Sequence, residues 1–135
     1  MKVLLDTNII IDVISKRKGY EESLRLFKYC ESGHVQGVVS ATTVTDILYI
    51  LRKHINPSEV RSAMQTLLLI IDIASIGKGE IAAAFASEMK DFEDAVQSAC
   101  AKRIGADYIV THNLKDFDKS AVKAITPTEA LELFR

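Results

Sequence analysis

Cysteine is scarce in this chain. Cys30 and Cys100 are the only two in 135 residues, too few and too far apart for a disulfide scaffold or a thiolate zinc site. Each lies within a helical apolar pattern, so both read as buried core thiols. An excess of either charge is lacking as well: 17 Lys and Arg against 18 Asp and Glu leave a formal net charge of −1. No global positive field therefore draws in nucleic acid, and such a partner has to be met by a local basic patch. Lys16-Arg17-Lys18 and Arg52-Lys53-His54 are the two clusters available, and each equally suits a solvated helix end, where the helix dipole favours cations. Long apolar runs are absent, so none spans a bilayer. A basic segment followed by a long apolar region is missing from the amino end, which makes the cytoplasm the expected location and excludes a membrane partner. Internal repeats and flexible linkers are missing too.

What is present fits one ordinary globular domain over residues 1–135. The 48% hydrophobic and 26% charged content is that of a chain with a real core, and the length is near the modal domain size. Val3-Leu4-Leu5 is a continuous apolar run of the kind shown by a strand covered on both faces. Helical spacing of Ile9, Ile10, Val13 and Ile14 follows, up to about Lys16. A second helix is predicted from Tyr20 to Ser32, a strand over Gln36–Ser40, and a helix from Ala41 to His54 with apolar residues on most sides. Pro57 suits the first turn of a helix running to about Leu69. Strands are predicted at Ile70–Ala74, Ala106–Thr111 and Lys123–Thr126. An alanine-rich helix after Gly77 and Gly79 is expected to end near Met89, another to run from Asp91 to Ile104, and a last one to start at Pro127. Strands alternating with helices imply an α/β domain of three layers, α/β/α, around a central, mainly parallel sheet of about five strands.

That topology collects polar residues at one rim, because helices leaving parallel strands start at the strands' carboxyl edge, where open α/β sheets place their ligands. Asp6 ends the first strand, Asp46 lies early in the helix after the second, Asp91 and Asp94 open the helix before the fourth, and Asn113 and Asp116 follow it. Each acid also has a bland role. Asp6 can cap the next helix, Asp91 with Asp94 can form a capping-box variant, and Asp116 can be a turn residue. Asp46 is harder to explain that way, since Val44, Ile47, Leu48, Ile50 and Leu51 leave its helix little solvent-facing surface, and a buried carboxylate needs a partner. Carboxylates about 4 Å apart repel by roughly 4 kcal/mol at an effective dielectric near 20. A hard cation such as Mg²⁺ or Mn²⁺, which prefers oxygen ligands, offsets that repulsion and activates water for phosphodiester hydrolysis.

Together, Asp6-Thr7-Asn8, Asp46, Asp91-Phe-Glu-Asp94-Ala95 and Ala106-Asp-Tyr-Ile-Val-Thr111-His-Asn113-Leu-Lys-Asp116-Phe117 resemble the PIN-domain nucleases, and most closely the small VapC-like toxins of toxin–antitoxin pairs. The resemblance covers essentially the whole chain. It implies a metal-dependent endoribonuclease using Mg²⁺ or Mn²⁺, an RNA substrate, neutralisation by a small antitoxin protein, and a homodimer. The family's metal ligands fall on Asp6, Asp46 and Asp94, its fourth position on Asn113, and its usual hydroxyl residue on Thr111, with Asp91 and Asn8 in support. Two departures stand out: the second acid is commonly Glu where this chain has Asp46, and the fourth is the neutral Asn113 unless Asp116 turns inward. A non-catalytic PIN-like binding module is a competing reading. A haloacid-dehalogenase-type phosphatase is another, although it needs a general acid where this chain has Asn8. The apolar residues Val60, Met64, Leu67, Leu68 and Leu69 of the helix from Pro57 are either core or a groove for an antitoxin helix or a second copy.

Overall fold

Side-chain alternation in the strands determines which face of the sheet each helix covers. In the computed structural model, which describes all residues from Met1 to Arg135, strand β1 (Lys2–Leu5) sends Val3 and Leu5 into a large core on one face and Leu4 into a smaller core on the other. Strand β2 (Gln36–Ser40) does the same with Val39 and Val38, and β4 (Tyr108–Val110) with Val110 and Ile109. This is the period-2 geometry of an extended chain, with both faces covered. The edge strands are β3 (Asp72–Ala74) and β5 (Ala124–Ile125). All neighbours are parallel, in the order β3-β2-β1-β4-β5, so the expected three-layer α/β/α architecture with five strands is what the chain forms.

Helices α1 (Thr7–Ser15), α2 (Tyr20–Glu31), α3 (Ala41–Leu51), α4 (Pro57–Leu67) and α7 (Pro127–Phe134) supply the larger core. Helices α5 (Lys78–Ala86) and α6 (Phe92–Arg103) pack together on the opposite face. Arg103 ties them, its Nε donating to Glu80 at 2.6 Å. Pro57 and Pro127 stand in the first turns of their helices as expected; Asn56 caps the first of these helices, and Thr126 with Glu129 forms a full capping box on the second.

Several boundaries are tighter than the apolar pattern predicts. Helix α3 ends at Leu51 rather than near His54, and α4 at Leu67 rather than Leu69. After α4 the amides of Leu69 and Ile70 turn to carbonyls three residues back, Thr66 and Leu67, which winds up the helix before the strand can begin at Asp72. Helix α5 takes in Gly79 and stops at Ala86, because Ser87 is extended and its hydroxyl accepts from the amide of Met89. The apolar face of α4 is core: Val60, Met64 and Leu67 are buried, and only Leu69, beyond the helix, is left in water. Both cysteines are buried, and burial pushes the Cys30 thiol up to about 11, which keeps it protonated. No helix is long and apolar enough to cross a membrane.

One glycine is needed for space. A Cβ on Gly37 in β2 would stand 2.7 Å from Cys30 Sγ and 3.0 Å from Ile71 Cγ2, so Gly37→Ala overpacks the seam between β2 and α2. The expected loss is about 1–3 kcal/mol, read as a lower urea midpoint at unchanged m-value. An unchanged midpoint would show that the seam yields freely.

Candidate functional site

Strand order reverses between β1 and β4, since the chain leaves β1 toward β2 on one side and returns to β4 on the other. In open α/β sheets the crevice at the carboxyl ends of two such strands is where ligands bind. Here Asp6 stands at the end of β1 and Thr111 just beyond β4, both buried, with the amide of Asp6 bonded to the carbonyl of Val110 across the gap.

Four donors converge on the Asp6 carboxylate. Thr111 Oγ1 donates at 2.7 Å, the Thr7 amide at 2.8 Å, Asn8 Nδ2 at 3.2 Å and Gln97 Nε2 at 3.3 Å. Asp6 is therefore the N-cap of α1 and the centre of the crevice at once; capping and site membership are not alternatives. Burial nevertheless raises its proton affinity, and these hydrogen bonds offset only part of that effect. Beneath it, Gln97 Nε2 also donates to Thr43 Oγ1 at 3.1 Å, and Thr43 is within hydrogen-bond reach of both Thr7 and Ser40. This hydroxyl–amide floor links α1, β2, α3 and α6, and leaves Gln97 Oε1 buried without a partner.

Acids crowd the rim above. Asp94, half-buried in the first turn of α6, has its carboxyl pushed up to about 7, first by desolvation and then by the charges of Asp6, Asp91 and Asp116. Asp91 caps α6, its Oδ1 accepting from the Asp94 amide at 2.9 Å. Asp116 lies in a single 3-10 turn (Leu114–Phe117) and is exposed, yet its charge bears on both Asp6 and Asp94. It faces the acids as well as serving the turn. Asn113 is exposed; its amide bonds to Thr111 Oγ1 at 3.0 Å.

Asp46 stands apart from Asp6 in one respect. Its electrostatic partner is Glu93, whose carboxyl is within hydrogen-bonding reach and is pushed up to about 7 by desolvation, by Asp46 and by Asp91 and Asp94. The helix carrying Asp46 also has more solvent-facing surface than its apolar content suggests, because Tyr49 and Ile50 are exposed. Asp46 is thus half-buried rather than trapped. No three of the His, Cys, Asp and Glu side chains stand close enough together to hold a cation as they are placed. The donor set is nonetheless made of oxygen, and the repulsion that adds to desolvation in raising Asp94 and Glu93 is what a hard cation would relieve. In chemical kind, the rim fits Mg²⁺ or Mn²⁺.

Three residues here escape a reading of the sequence. Gln97 is three positions after Asp94 on α6 and so shares its face, the one local hint available. Glu93 looks like a solvated charge. His112, next to Thr111, hydrogen-bonds through Nε2 to the buried Asp12 of α1, which also receives Ser23 Oγ at 3.4 Å. That link ties the loop after β4 to α1, the helix that carries Asn8.

Residues 2–115 match the PIN domain family model, and the chain belongs to the PIN domain family. A search of curated protein sequences finds no match. Among solved structures it is similar to VapBC2 from Rickettsia felis bound to a DNA fragment from its promoter, at 18% identity and a TM-score of 0.73, covering 93% of this chain and 98% of that one. A toxin–antitoxin complex from Klebsiella pneumoniae is similar at 24% identity and a TM-score of 0.71, covering 93% and 97%. VapC20 from Mycobacterium tuberculosis, a sarcin-ricin loop cleaving toxin, is similar at 11% identity and a TM-score of 0.65, covering 79% and 86%. At these identities the likeness is one of fold.

Proposed function

We propose that this protein is a divalent-metal-dependent endoribonuclease and the toxin of a toxin–antitoxin pair. The observation that carries the reading is a carboxylate-rich rim at the strand-order reversal, with Asp6 held by four donors and Asp94 raised to about 7 by desolvation and then by its acidic neighbours. Family membership and the likeness to VapC-type folds support it. Asp6 and Asp94 would hold the cation, with Asp46, Asp91, Asp116 and Asn113 completing its shell directly or through water. Mg²⁺ or Mn²⁺ bound there supplies a Lewis acid that activates water and polarises a phosphoryl oxygen.

This chain's own residues do the positioning. Thr111 and Asn8 aim the Asp6 carboxylate, Gln97 locks it from below, and Asp94 holds or releases a proton near neutral pH at its carboxyl. The partners in this reading are RNA as substrate, a small antitoxin protein, as in the toxin–antitoxin complex of the Klebsiella structure, and a second copy of the chain. Purified protein incubated with mixed RNAs is expected to cut them with Mg²⁺ or Mn²⁺ and not in EDTA. Equal cutting in EDTA, in a preparation free of other nucleases, would refute the metal-dependent mechanism.

A non-catalytic PIN-like binding module is favoured by one observation, that no three acids are already grouped. Mn²⁺ titration followed by calorimetry separates the two readings: the nuclease site binds Mn²⁺ and loses it in Asp94→Ala, whereas a pure scaffold need not bind it.

A further inference from the structure

Asp12 is a buried acid that serves no cap. It sits in the last turn of α1, where the helix dipole disfavours an anion, beside the buried Ile9, Ile10 and Ile11, and is itself 6% exposed. Neither Lys nor Arg pairs with it. Its Oδ2 instead accepts from Ser23 Oγ of α2 at 3.4 Å and from Nε2 of His112, an exposed residue of the loop after β4. Burying a carboxylate is costly, and well-packed apolar side chains of similar volume hold a fold as well as a buried polar pair or better. Stability alone therefore does not account for the pair.

Its place in the crevice does. Asn8 and Asp12 lie four residues apart on one face of α1. His112 meets both, its backbone amide donating to Asn8 Oδ1 at 3.5 Å and its ring reaching Asp12 one turn further along. On one side of His112, Thr111 Oγ1 donates to Asp6 Oδ2 at 2.7 Å and accepts from Asn8 Nδ2 at 3.4 Å. On the other, the Asn113 amide donates to that same hydroxyl at 3.0 Å. The ring bond thus pins the loop away from the rim, and its far end is braced on α2 through Ser23. We propose that the His112–Asp12 pair is a strut across the β1–β4 crevice that fixes the Thr111–Asn113 loop against α1, making His112 and Asp12 positioning residues for the cation site. The inference deepens the metal-dependent nuclease reading and rests on it for the cation. Both residues act through Thr111 and Asn113 rather than as ligands, and loss of such supporting groups lowers metal affinity about 10–100-fold.

A pair that merely staples the fold is the rival, and apolar replacement separates the two. Asp12→Leu combined with His112→Leu leaves no buried charge unpaired, so its urea midpoint is expected to equal or exceed that of wild type. Its Mn²⁺ affinity, measured by calorimetry without RNA, should nevertheless fall about 10–100-fold. The Asn113 amide, which rests on Thr111 Oγ1, should exchange with solvent at least about tenfold faster, while the Thr111 amide, held in the sheet by the Ile125 carbonyl at 3.0 Å, keeps its rate. His112→Gln offers a donor at nearly the reach of Nε2 and should restore most of the Mn²⁺ affinity, whereas His112→Ala should not. Wild-type Mn²⁺ affinity and Asn113 exchange in the double variant would overturn the strut, and so would a lost affinity that only accompanies a fallen urea midpoint. If the double variant does not fold, the single variants decide: equal Mn²⁺ affinity in His112→Gln and His112→Ala overturns the strut. If wild type cuts RNA with Mn²⁺ and the double variant matches it in affinity and exchange, the strut falls and the nuclease reading stands. If wild type binds Mn²⁺ yet cuts no RNA, and the double variant loses that affinity, the nuclease reading falls and the strut stands.

Discussion

Asp94→Asn is expected to abolish RNA cleavage and at the same time to stabilise the metal-free protein above pH 7. The two effects have one origin. Asp94 is held half-buried beside Asp6, Asp91 and Asp116, and desolvation with their charges lifts its carboxyl to about 7. Ionised, it costs the fold free energy; as a cation ligand, that same charge is what the site uses. Replacing it with the neutral amide should cut metal-dependent cleavage by at least about a hundredfold, since loss even of groups that merely support ligands costs 10–100-fold. The stability gain is smaller. Solvent screens a half-buried group, so about 1 kcal/mol is the expected scale, or a melting temperature higher by about 3–6 °C at pH 8 in EDTA. At pH 4, where the native carboxyl is protonated, the difference should vanish. Asp6→Asn should likewise abolish cleavage. It perturbs the cap of α1, where Thr7 donates to Asp6 Oδ1, and removes the acceptor for Thr111, so no stabilisation is expected from it. Cleavage at wild-type rate by Asp94→Asn, or a melting temperature at pH 8 below that of wild type, would refute the shared origin.

In EDTA, the melting temperature of the wild-type protein should fall as pH rises from about 4 to about 8, and Mn²⁺ should restore it mainly above pH 7. Asp94 and Glu93 both have folded-state values near 7, and Asp6 is raised as well. A carboxyl whose native value is raised binds its proton more tightly folded than unfolded. Its stabilising contribution is therefore full below the ordinary carboxylate range and is lost as pH climbs through 7. A cation competes with those protons, so its apparent affinity rises over the same interval. At Mn²⁺ one hundred times the dissociation constant the linkage contributes about 2.7 kcal/mol, a rise of roughly 8 °C or more at pH 8. Scanning fluorimetry at pH 5.5, 7.0 and 8.5, with EDTA or with Mn²⁺, reads both terms. Equal Mn²⁺ shifts at pH 5.5 and 8.5, or none at any pH, would sink the idea that these acids form the cation site.

Much of the architecture was legible along the chain because it is set by short-range periodicity. The apolar run Val3-Leu4-Leu5 and the helix starts at Pro57 and Pro127 declare themselves locally. The helix ends at Leu51, Leu67 and Ala86 did not, since apolar residues continue past each end and only the packing of the following turn decides where the hydrogen bonds change partner. The same division runs through the site. That Asp6, Asp46, Asp91, Asp94 and Asp116 gather at one rim follows from β–α alternation alone. That Asp46 faces Glu93, that Asp116 bears on Asp94, and that Gln97 supports Asp6 from 91 positions away do not.

By itself, then, the sequence determined the elements, the parallel sheet covered on both faces and the edge at which the carboxylates lie, because 3.6- and 2-residue periods and helix starts are properties of neighbouring residues. Only the tertiary structure decided that β4 lies against β1, and hence that Thr111 meets Asp6 across 105 positions. It also decided that Phe85 and Phe92 pack on each other and stay exposed. Strand order and mutual burial are set by how the two cores fill as a whole, and no local stretch of chain carries that information.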